Sequence, residues 1–333
     1  MLVGDLPDLE IFLINNVECY SCSISLSKNN FLYNKILCNH QYTNDIKNIF
    51  NEEFYSLKNK IVALYYNHIK LKDQDNIYIH LLHEHSYNYF HWLYEVIPRI
   101  ILINQLIIKS KKLKNKTFII LIDDNLPYQL HEILYMIIDF KYEIKILERN
   151  KSATVNTLLY CSNLWTSLDN TKFKSNIKKE FFIDSYAVAL IRRTFKKFMT
   201  HLPATRKIYL DRKSSQARSL TNNNEVKKLL IKNEFEIIDV SKLTFIEQII
   251  LFSESKIIMA VSGAYFSNII FMQKDTKAII FSPKTIGTNY YIFQPMADIA
   301  KIKLIHLLTN NKMDDMHESS DIDLLKIKNL LKE

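Results

Sequence analysis

KIIMAVSGAYFSNIIF (Lys256–Phe271) decides the fold class. After Lys256, Ile257 to Val261 form a short apolar run rich in β-branched side chains, the pattern of a buried strand. Ser262, Gly263 and Ala264 then turn the chain, and the pattern after them predicts a helix to about Phe271. Strand, small-residue turn and helix together make the first two parts of a βαβ unit.

The same alternation continues on both sides. Toward the C-terminus, Ala278–Phe281 reads as a strand, Tyr290–Ala300 as a helix, Lys303–His306 as a strand and Ile322–Leu331 as a closing helix. Toward the N-terminus, Lys207–Leu210 and Glu236–Val240 read as strands. Each is followed by a Ser/Thr/Asn-x-x-Glu helix start, Asn222 with Glu225 and Thr244 with Glu247. This predicts an α/β fold whose C-terminal domain is doubly wound on a parallel sheet. His201–Pro203 is the expected linker. It separates an N-terminal α/β domain, residues 1–200, from a C-terminal domain, residues 204–310, and the closing helix within 320–333 is expected to pack back on the N-terminal domain. In the first half, Ile11–Val17, Ile61–His68, Ile77–Leu82, Thr117–Ile122, Glu143–Leu147 and Val155–Tyr160 read as strands. Tyr89–Lys112, broken or kinked at Pro98, Tyr128–Asp139 and Ile177–Met199 read as helices.

Composition narrows the function classes. The 333 residues are 48% hydrophobic and 24% charged, enough for a packed core and incompatible with wholesale disorder. Ile100–Ile108 is the longest approach to a membrane span and is broken by Asn104 and Gln105. An acidic start (Asp5, Asp8, Glu10) does not read as a secretory signal, and four Cys make no disulfide framework, so a cytoplasmic protein is expected. The formal charge is +9, which suits work on phosphate-rich substrates or at an anionic membrane face. Nucleic acid is a weaker reading, because no zinc pattern, basic helix or aromatic RNP motif is present. Only seven of the 44 basic residues are Arg, and only three residues are Gly. In a chain that favours Lys, a retained Arg marks places where a planar fork matters.

Three constellations could carry chemistry. In Asn88-Tyr89-Phe90-His91-Trp92-Leu93-Tyr94-Glu95, followed by Pro98 and Arg99, His91 and Glu95 share a helix face at i,i+4. A carboxylate beside an imidazole orients it and raises its basicity, as a general base requires, although a plain surface pair has the same spacing. Arg206, Arg212 and Arg218 recur every six residues around the end of a predicted strand, with Ser214, Ser215 and Asn224-Glu225 nearby. Guanidinium forks next to a helix start make a phosphate site. The third is the turn Ser262-Gly263-Ala264 with Asn268, which matches neither GxGxxG nor a P-loop. Asp73-Gln74-Asp75 has the spacing of a metal-binding DxD but reads as turn chemistry. Asp321 and Asp323 read as helix caps, Cys19-x-x-Cys22 has no second pair, and His80, His83 and His85 have no carboxylate pattern around them. No metal site is expected.

Taken together, these stretches resemble glycosyltransferase family 61. Asn88 to Arg99 is similar to the family's N-Y-x-H-W-(x2)-E-(x2)-P-R pattern. Arg212 to Arg218 with Asn224-Glu225 is similar to its Arg-x5-Arg stretch, with a longer gap before Asn-Glu. Thr244-Phe245-Ile246-Glu247-Gln248 matches its Glu-Gln helix, and Ser262 to Phe271 its H-G-A-x-x-x-N-x-x-F turn. One position departs, since Ser262 stands where the family has His.

The resemblance implies a GT-B-like arrangement, two Rossmann-like domains facing a cleft, and an inverting, metal-independent transfer. The substrate would be a nucleotide sugar, uridine diphosphate-linked in the commonest case, with no further cofactor. The acceptor would be a glycan or lipid-linked glycan in capsule or lipopolysaccharide synthesis, reached by peripheral contact with the inner membrane face. Under that reading His91 is the base and Glu95 its orienter or a substitute base. Arg212, Arg218, Glu247, Ser262, Gly263, Ala264 and Asn268 face the donor, and Asn88, Trp92 and Arg99 the acceptor. A non-catalytic glycan- or nucleotide-binding relative is the alternative that Ser262 raises.

Overall fold

The computed structural model describes residues 11–23, 26–28, 31–33, 67–71, 76–162, 165–167, 181–211, 218–285, 288–310 and 319–332. The chain divides into two compact units, residues 1–187 and 188–333.

The first unit is built on an eight-stranded mixed sheet. Its strands are β1 (Ile11–Tyr20), β2 (Leu26–Lys28), β3 (Phe31–Tyr33), β4 (Asn67–Lys70), β5 (Ile77–His80), β6 (Phe118–Asp123), β7 (Tyr142–Leu147) and β8 (Lys151–Cys161). The order is β3-β2-β1-β8-β5-β6-β7, with β4 also pairing β8. The strands β8, β5, β6 and β7 run parallel, while β1 joins β8 antiparallel over almost its whole length. Val17, Tyr78, Leu82, Leu121, Val155 and Leu158 fill the core on one face. The strands β5 and β6 are buried throughout, as central parallel strands must be. A separate antiparallel pair, β9 (Trp165–Ser167) and β10 (Phe181–Ile183), completes the described strands of this unit.

The predicted helix Tyr89–Lys112 is in fact three segments. A single turn, α1 (Tyr89–His91), passes into a π-helical segment, Trp92–Val96, and then into α2 (Ile97–Lys109). Pro98 lies in the first turn of α2. It has no N–H to give back to the preceding turn, and the wider π turn, closed by the Ile97 N–H on the Trp92 carbonyl, absorbs the misfit. The next helix, α3 (Tyr128–Ile137), packs on α2. Asn104 bonds the Asp139 carboxylate at 3.2 Å and accepts its N–H at 2.9 Å.

The second unit carries a five-stranded, fully parallel sheet of order β12-β11-β13-β14-β15. Its strands are β11 (Arg206–Leu210), β12 (Glu236–Ile238), β13 (Ser255–Val261), β14 (Lys277–Pro283) and β15 (Lys303–Thr309). The chain leaves β11 to form β12 on one side and returns to form β13 on the other. The order therefore reverses between β11 and β13, and in open parallel sheets the carboxyl ends at such a reversal are where ligands bind. The expected α/β class with parallel sheets is thus observed.

Several boundaries differ from the expected ones for identifiable reasons. Residues 181–183 are the strand β10, and the helix α4 (Ser185–Phe195) starts only after Asp184, whose side chain accepts the Tyr186 N–H at 2.7 Å. From Val188 on, that helix belongs to the second unit. Phe195 packs edge-on against Phe245 at 5.0 Å, and Arg192 donates to the carbonyls of Ile270 and Met272. The two units accordingly part at Ala187/Val188, earlier than His201–Pro203. The segment after Gly263 is a 3-10 helix, Ala264–Phe271, rather than an α-helix. The helix expected from Asn222 is α5 (Asn223–Ile231), but Asn222 does not cap it. Its amide pairs with both backbone groups of Ile322, at 2.8 and 3.2 Å. The Thr244–Glu247 box does form, opening α6 (Phe245–Glu254). Pro295 starts α7 (Gln294–Ala300), leaving Tyr290 outside it to bond the Pro283 carbonyl. The closing helix α8 (Leu324–Lys332) packs within the second unit, where Ile327 is fully buried with Val226 and Leu230. Asp323 caps it through the Leu325 N–H. Among the described residues no helix is long and apolar enough to cross a membrane.

Candidate active site

At the carboxyl end of β5 the chain enters the loop Leu81–Asn88, which carries His83 and His85 and delivers the chain to α1. The loop is held by Asp123 at the end of the neighbouring strand β6. One Asp123 oxygen accepts the His83 N–H at 2.9 Å and the other the Cys22 N–H. Burial pushes the Asp123 carboxyl above its usual range, against the hydrogen bonds it accepts. Asn88 caps α1 by accepting the Phe90 N–H at 3.0 Å.

Glu95 projects from the π-helical segment into this loop. Its Oε1 lies 2.8 Å from His91 Nδ1, and its Oε2 lies 2.5 Å from His83 Nε2. One buried carboxylate therefore joins two imidazoles. Its side chain is 5% exposed, that of His83 5% and that of His91 20%. Burial alone would raise the Glu95 carboxyl, but His83 and then His91 outweigh it and hold it at about 2. For His83, burial acts downward and Glu95 reverses it, leaving the imidazole above its usual value. His85 packs against His91 with ring centroids 4.8 Å apart, and burial together with the neighbouring His91 and His83 lowers its basicity. With Nδ1 turned to Glu95, His91 has Nε2 left to take a proton from a ligand. No group of three or more His, Cys, Asp or Glu among the described residues is arranged to hold a metal ion.

The three residues expected on the acceptor side frame this site instead of lining it. Asn88 is the helix cap. Trp92 is fully buried and donates from Nε1 to the Leu130 carbonyl at 3.2 Å. Arg99 is also fully buried, with its guanidinium on the His80 carbonyl and 6.0 Å from the centre of the Tyr160 ring.

In the second unit, topology brings Arg218, Glu247 and the Ser262–Ala264 turn to the carboxyl edge of the parallel sheet. Arg218 precedes α5 in the left-handed region, at φ 59°. Arg212, Ser214 and Ser215 lie outside the described residues, as do Asp73, Gln74 and Asp75. Ser262 donates its N–H to the Phe281 carbonyl at 3.0 Å and is partly exposed, as is Ala264. Gly263 has extended backbone, φ −170°, so no left-handed turn requires glycine here. What a side chain would meet is the Tyr265 ring, 2.8 Å from an added Cβ. Glu247 is exposed, and its carboxylate accepts the Thr244 N–H and hydroxyl at 2.8 and 2.9 Å. Asn268 is fully buried and donates to Gln248 at 2.8 Å, locking the 3-10 helix to α6. Arg206 sits at the opposite, amino end of β11, where it clamps Glu236 at 2.7 Å and Glu254 at 2.9 Å. The six-residue Arg spacing therefore does not describe one site.

Sequence reasoning missed the groups at the end of β11. Asp211 is buried and paired with Lys227 at 2.6 Å. Asn223 links it to the Tyr209 hydroxyl, with contacts of 3.3 and 2.7 Å. Asp123 and His83 were equally hidden: each acts through a partner on another element, which spacing does not register.

Comparison with known proteins adds one finding. The family model Glycosyltransferase 61 matches residues 89–279, more than half of the chain, from the first turn of α1 into β14. The comparison with curated proteins gives no match.

Proposed function

The chain belongs to glycosyltransferase family 61, and from that premise we propose an inverting, metal-independent transfer from a nucleotide sugar to a glycan or lipid-linked acceptor. The observation that carries the reading is the His91–Glu95 pair inside the matched segment, with Nδ1 on the carboxylate and Nε2 open. In one displacement the acceptor hydroxyl gives its proton to His91 Nε2. Its oxygen bonds to the anomeric carbon, and the carbon–oxygen bond to the diphosphate breaks, its electron pair leaving with the nucleotide. A positioned base contributes about 10²–10⁴-fold.

The departing diphosphate needs positive charge and donors. Arg212 and Arg218 are assigned to it, with amides of the Ser262–Ala264 turn, because the reversal point between β11 and β13 is where a parallel sheet presents such groups. This is a GT-B kind of division of labour: residues 188–333 hold the donor, a uridine diphosphate sugar first among candidates, and residues 1–187 activate the acceptor. The pathway assigned is surface polysaccharide synthesis, capsule or lipopolysaccharide, at the cytoplasmic face of a membrane. The net charge of +9 supports attraction to anionic headgroups there.

The test is transfer from a panel of nucleotide sugars to lipid-linked glycans, with the anomeric configuration of the product read by NMR. Inversion, activity that survives chelator, and sharp losses in His91→Ala and Arg212→Lys are expected. Retention of configuration overturns the mechanism. Activity lost in chelator and restored by manganese overturns metal independence and turns attention to Asp73-Gln74-Asp75. A second reading, a non-catalytic nucleotide- or glycan-binding relative, is favoured by Ser262 in place of the family's His. Nucleotide-sugar binding without transfer or donor hydrolysis would support it.

A further inference from the structure

We propose that His83, eight residues before the assigned base and outside the family-matched segment, is a positioning residue that sets the orientation and basicity of His91 through Glu95. The proposal rests on the reading of His91 as the base.

The geometry fixes the His83 tautomer. The His85 N–H points at His83 Nδ1, 3.1 Å away, so in the neutral ring Nδ1 holds the lone pair and the hydrogen is on Nε2; protonation adds a hydrogen at Nδ1 at the expense of that contact and keeps the one on Nε2. That hydrogen meets Glu95 Oε2 at 2.5 Å. The Asp123 carboxylate holds the His83 backbone, so the imidazole is fixed from both ends. Each Glu95 oxygen then has its own imidazole. A carboxylate with a single partner can turn about its last bond, whereas one pinned at Oε2 presents Oε1 to His91 Nδ1 in one orientation. Burial is graded the same way: His83 and Glu95 lie inside, and His91 reaches outward.

His83 has a second effect, through charge. It draws on the Glu95 carboxylate, which would otherwise act on His91 alone. The titratable groups facing His83 are Glu84 at 3.8 Å, Glu95, Asp123, His80, His85, His91 and the buried Arg99. Of these, Glu95 is the one that also bonds His91. In the reaction His83 keeps its proton: the proton from the acceptor stays on His91 and later passes to solvent.

Diethyl pyrocarbonate tests this without a known substrate, since it acylates neutral imidazole nitrogen at a rate that follows the free base. Modification of His91 in the full-length protein is followed across pH by peptide mapping, in wild type, His83→Phe and His83→Gln. His83→Phe removes the donor and leaves Glu95 to His91. The midpoint of His91 modification is expected to rise by about one pH unit, as when a carboxylate acts undivided on one partner. Release of uridine diphosphate from UDP-glucose, or from whichever nucleotide sugar the transfer panel identifies, is expected to fall about 10- to 100-fold in kcat with little change in donor KM. His83→Gln keeps a neutral donor, so it should recover most of kcat while still showing the raised midpoint. It also serves if His83→Phe does not fold. An unchanged midpoint in folded variants overturns the proposal and leaves the base assignment standing. Wild-type turnover in His91→Ala overturns both.

Discussion

Tyr265 lies across Gly263. Its ring carbons are 2.8 to 3.3 Å from where a Cβ on residue 263 would stand, and its hydroxyl bonds the Val261 carbonyl at the end of β13. Glycine is therefore needed here for space, not for backbone conformation. Gly263→Ala should displace the ring and cost about 1–3 kcal/mol, as overpacking does. In Tyr265→Ala the added methyl meets nothing of that ring, so the double variant should be far more stable than the sum of the two singles implies. Urea unfolding of the four proteins measures this, and strict additivity would refute the steric account.

What could be read in the sequence was what is local. The alternation from Arg206 to Thr309 follows from apolar runs, small-residue turns and one working cap, and all of these act within a few residues of themselves. The Thr244–Glu247 box forms because nothing competes for it, whereas the Asn222 amide is claimed by Ile322, one hundred residues away. His91 and Glu95 were legible because they lie four apart on nearly helical backbone. His83, Asp123 and Asp211 were not, because their partners come from other elements and spacing holds no record of them. The place of Arg206 was misread for the converse reason. Regular spacing in sequence put Arg206 on the far end of its strand, among carboxylates.

Arg192 joins α4 to the second unit through the carbonyls of Ile270 and Met272. Burial lowers the basicity of its guanidinium, and it stays charged well above neutral pH. Arg192→Met keeps much of the apolar stem but removes the donors, leaving two carbonyls short of a partner. A loss of about 1–3 kcal/mol is expected, with the midpoint of thermal unfolding lowered. An unchanged midpoint would mean that α4 is held by its buried apolar face, Val188, Leu190, Ile191 and Phe195.

Glu95 gives the fold a defined acid sensitivity. Its carboxyl is held at about 2 against an ordinary value of 4.5, so the folded state favours the carboxylate. That contribution is complete above the ordinary value and disappears as pH falls through the folded one. His83 is displaced upward, so its contribution is complete below 6.5 and fades as pH rises through its raised value. Glu95→Gln abolishes both couplings. The stability difference between wild type and Glu95→Gln should therefore be widest at mildly acidic pH and shrink from about pH 4.5 toward pH 2. Chemical denaturation across pH checks this, and a difference that keeps growing as pH falls below about 4.5 contradicts the shared-carboxylate geometry.

Arg206 and Arg218 should separate cleanly when each is replaced by Ala. Arg206 is tied to Glu236 and Glu254 at the amino edge of the sheet, remote in topology from the strand ends proposed to hold the donor. These are partly exposed pairs, so Arg206→Ala should cost about 0–1 kcal/mol, less at high salt, with donor KM and kcat unchanged. Arg218 enters α5 on the carboxyl edge, next to the reversal between β11 and β13. Arg218→Ala should cut turnover about 10²–10³-fold if its charge meets the departing diphosphate. Kinetics on both variants with the same nucleotide sugar decide the matter. Equal losses would mean that the arginines act through folding. A loss confined to Arg206→Ala would move the donor to the other edge of the sheet.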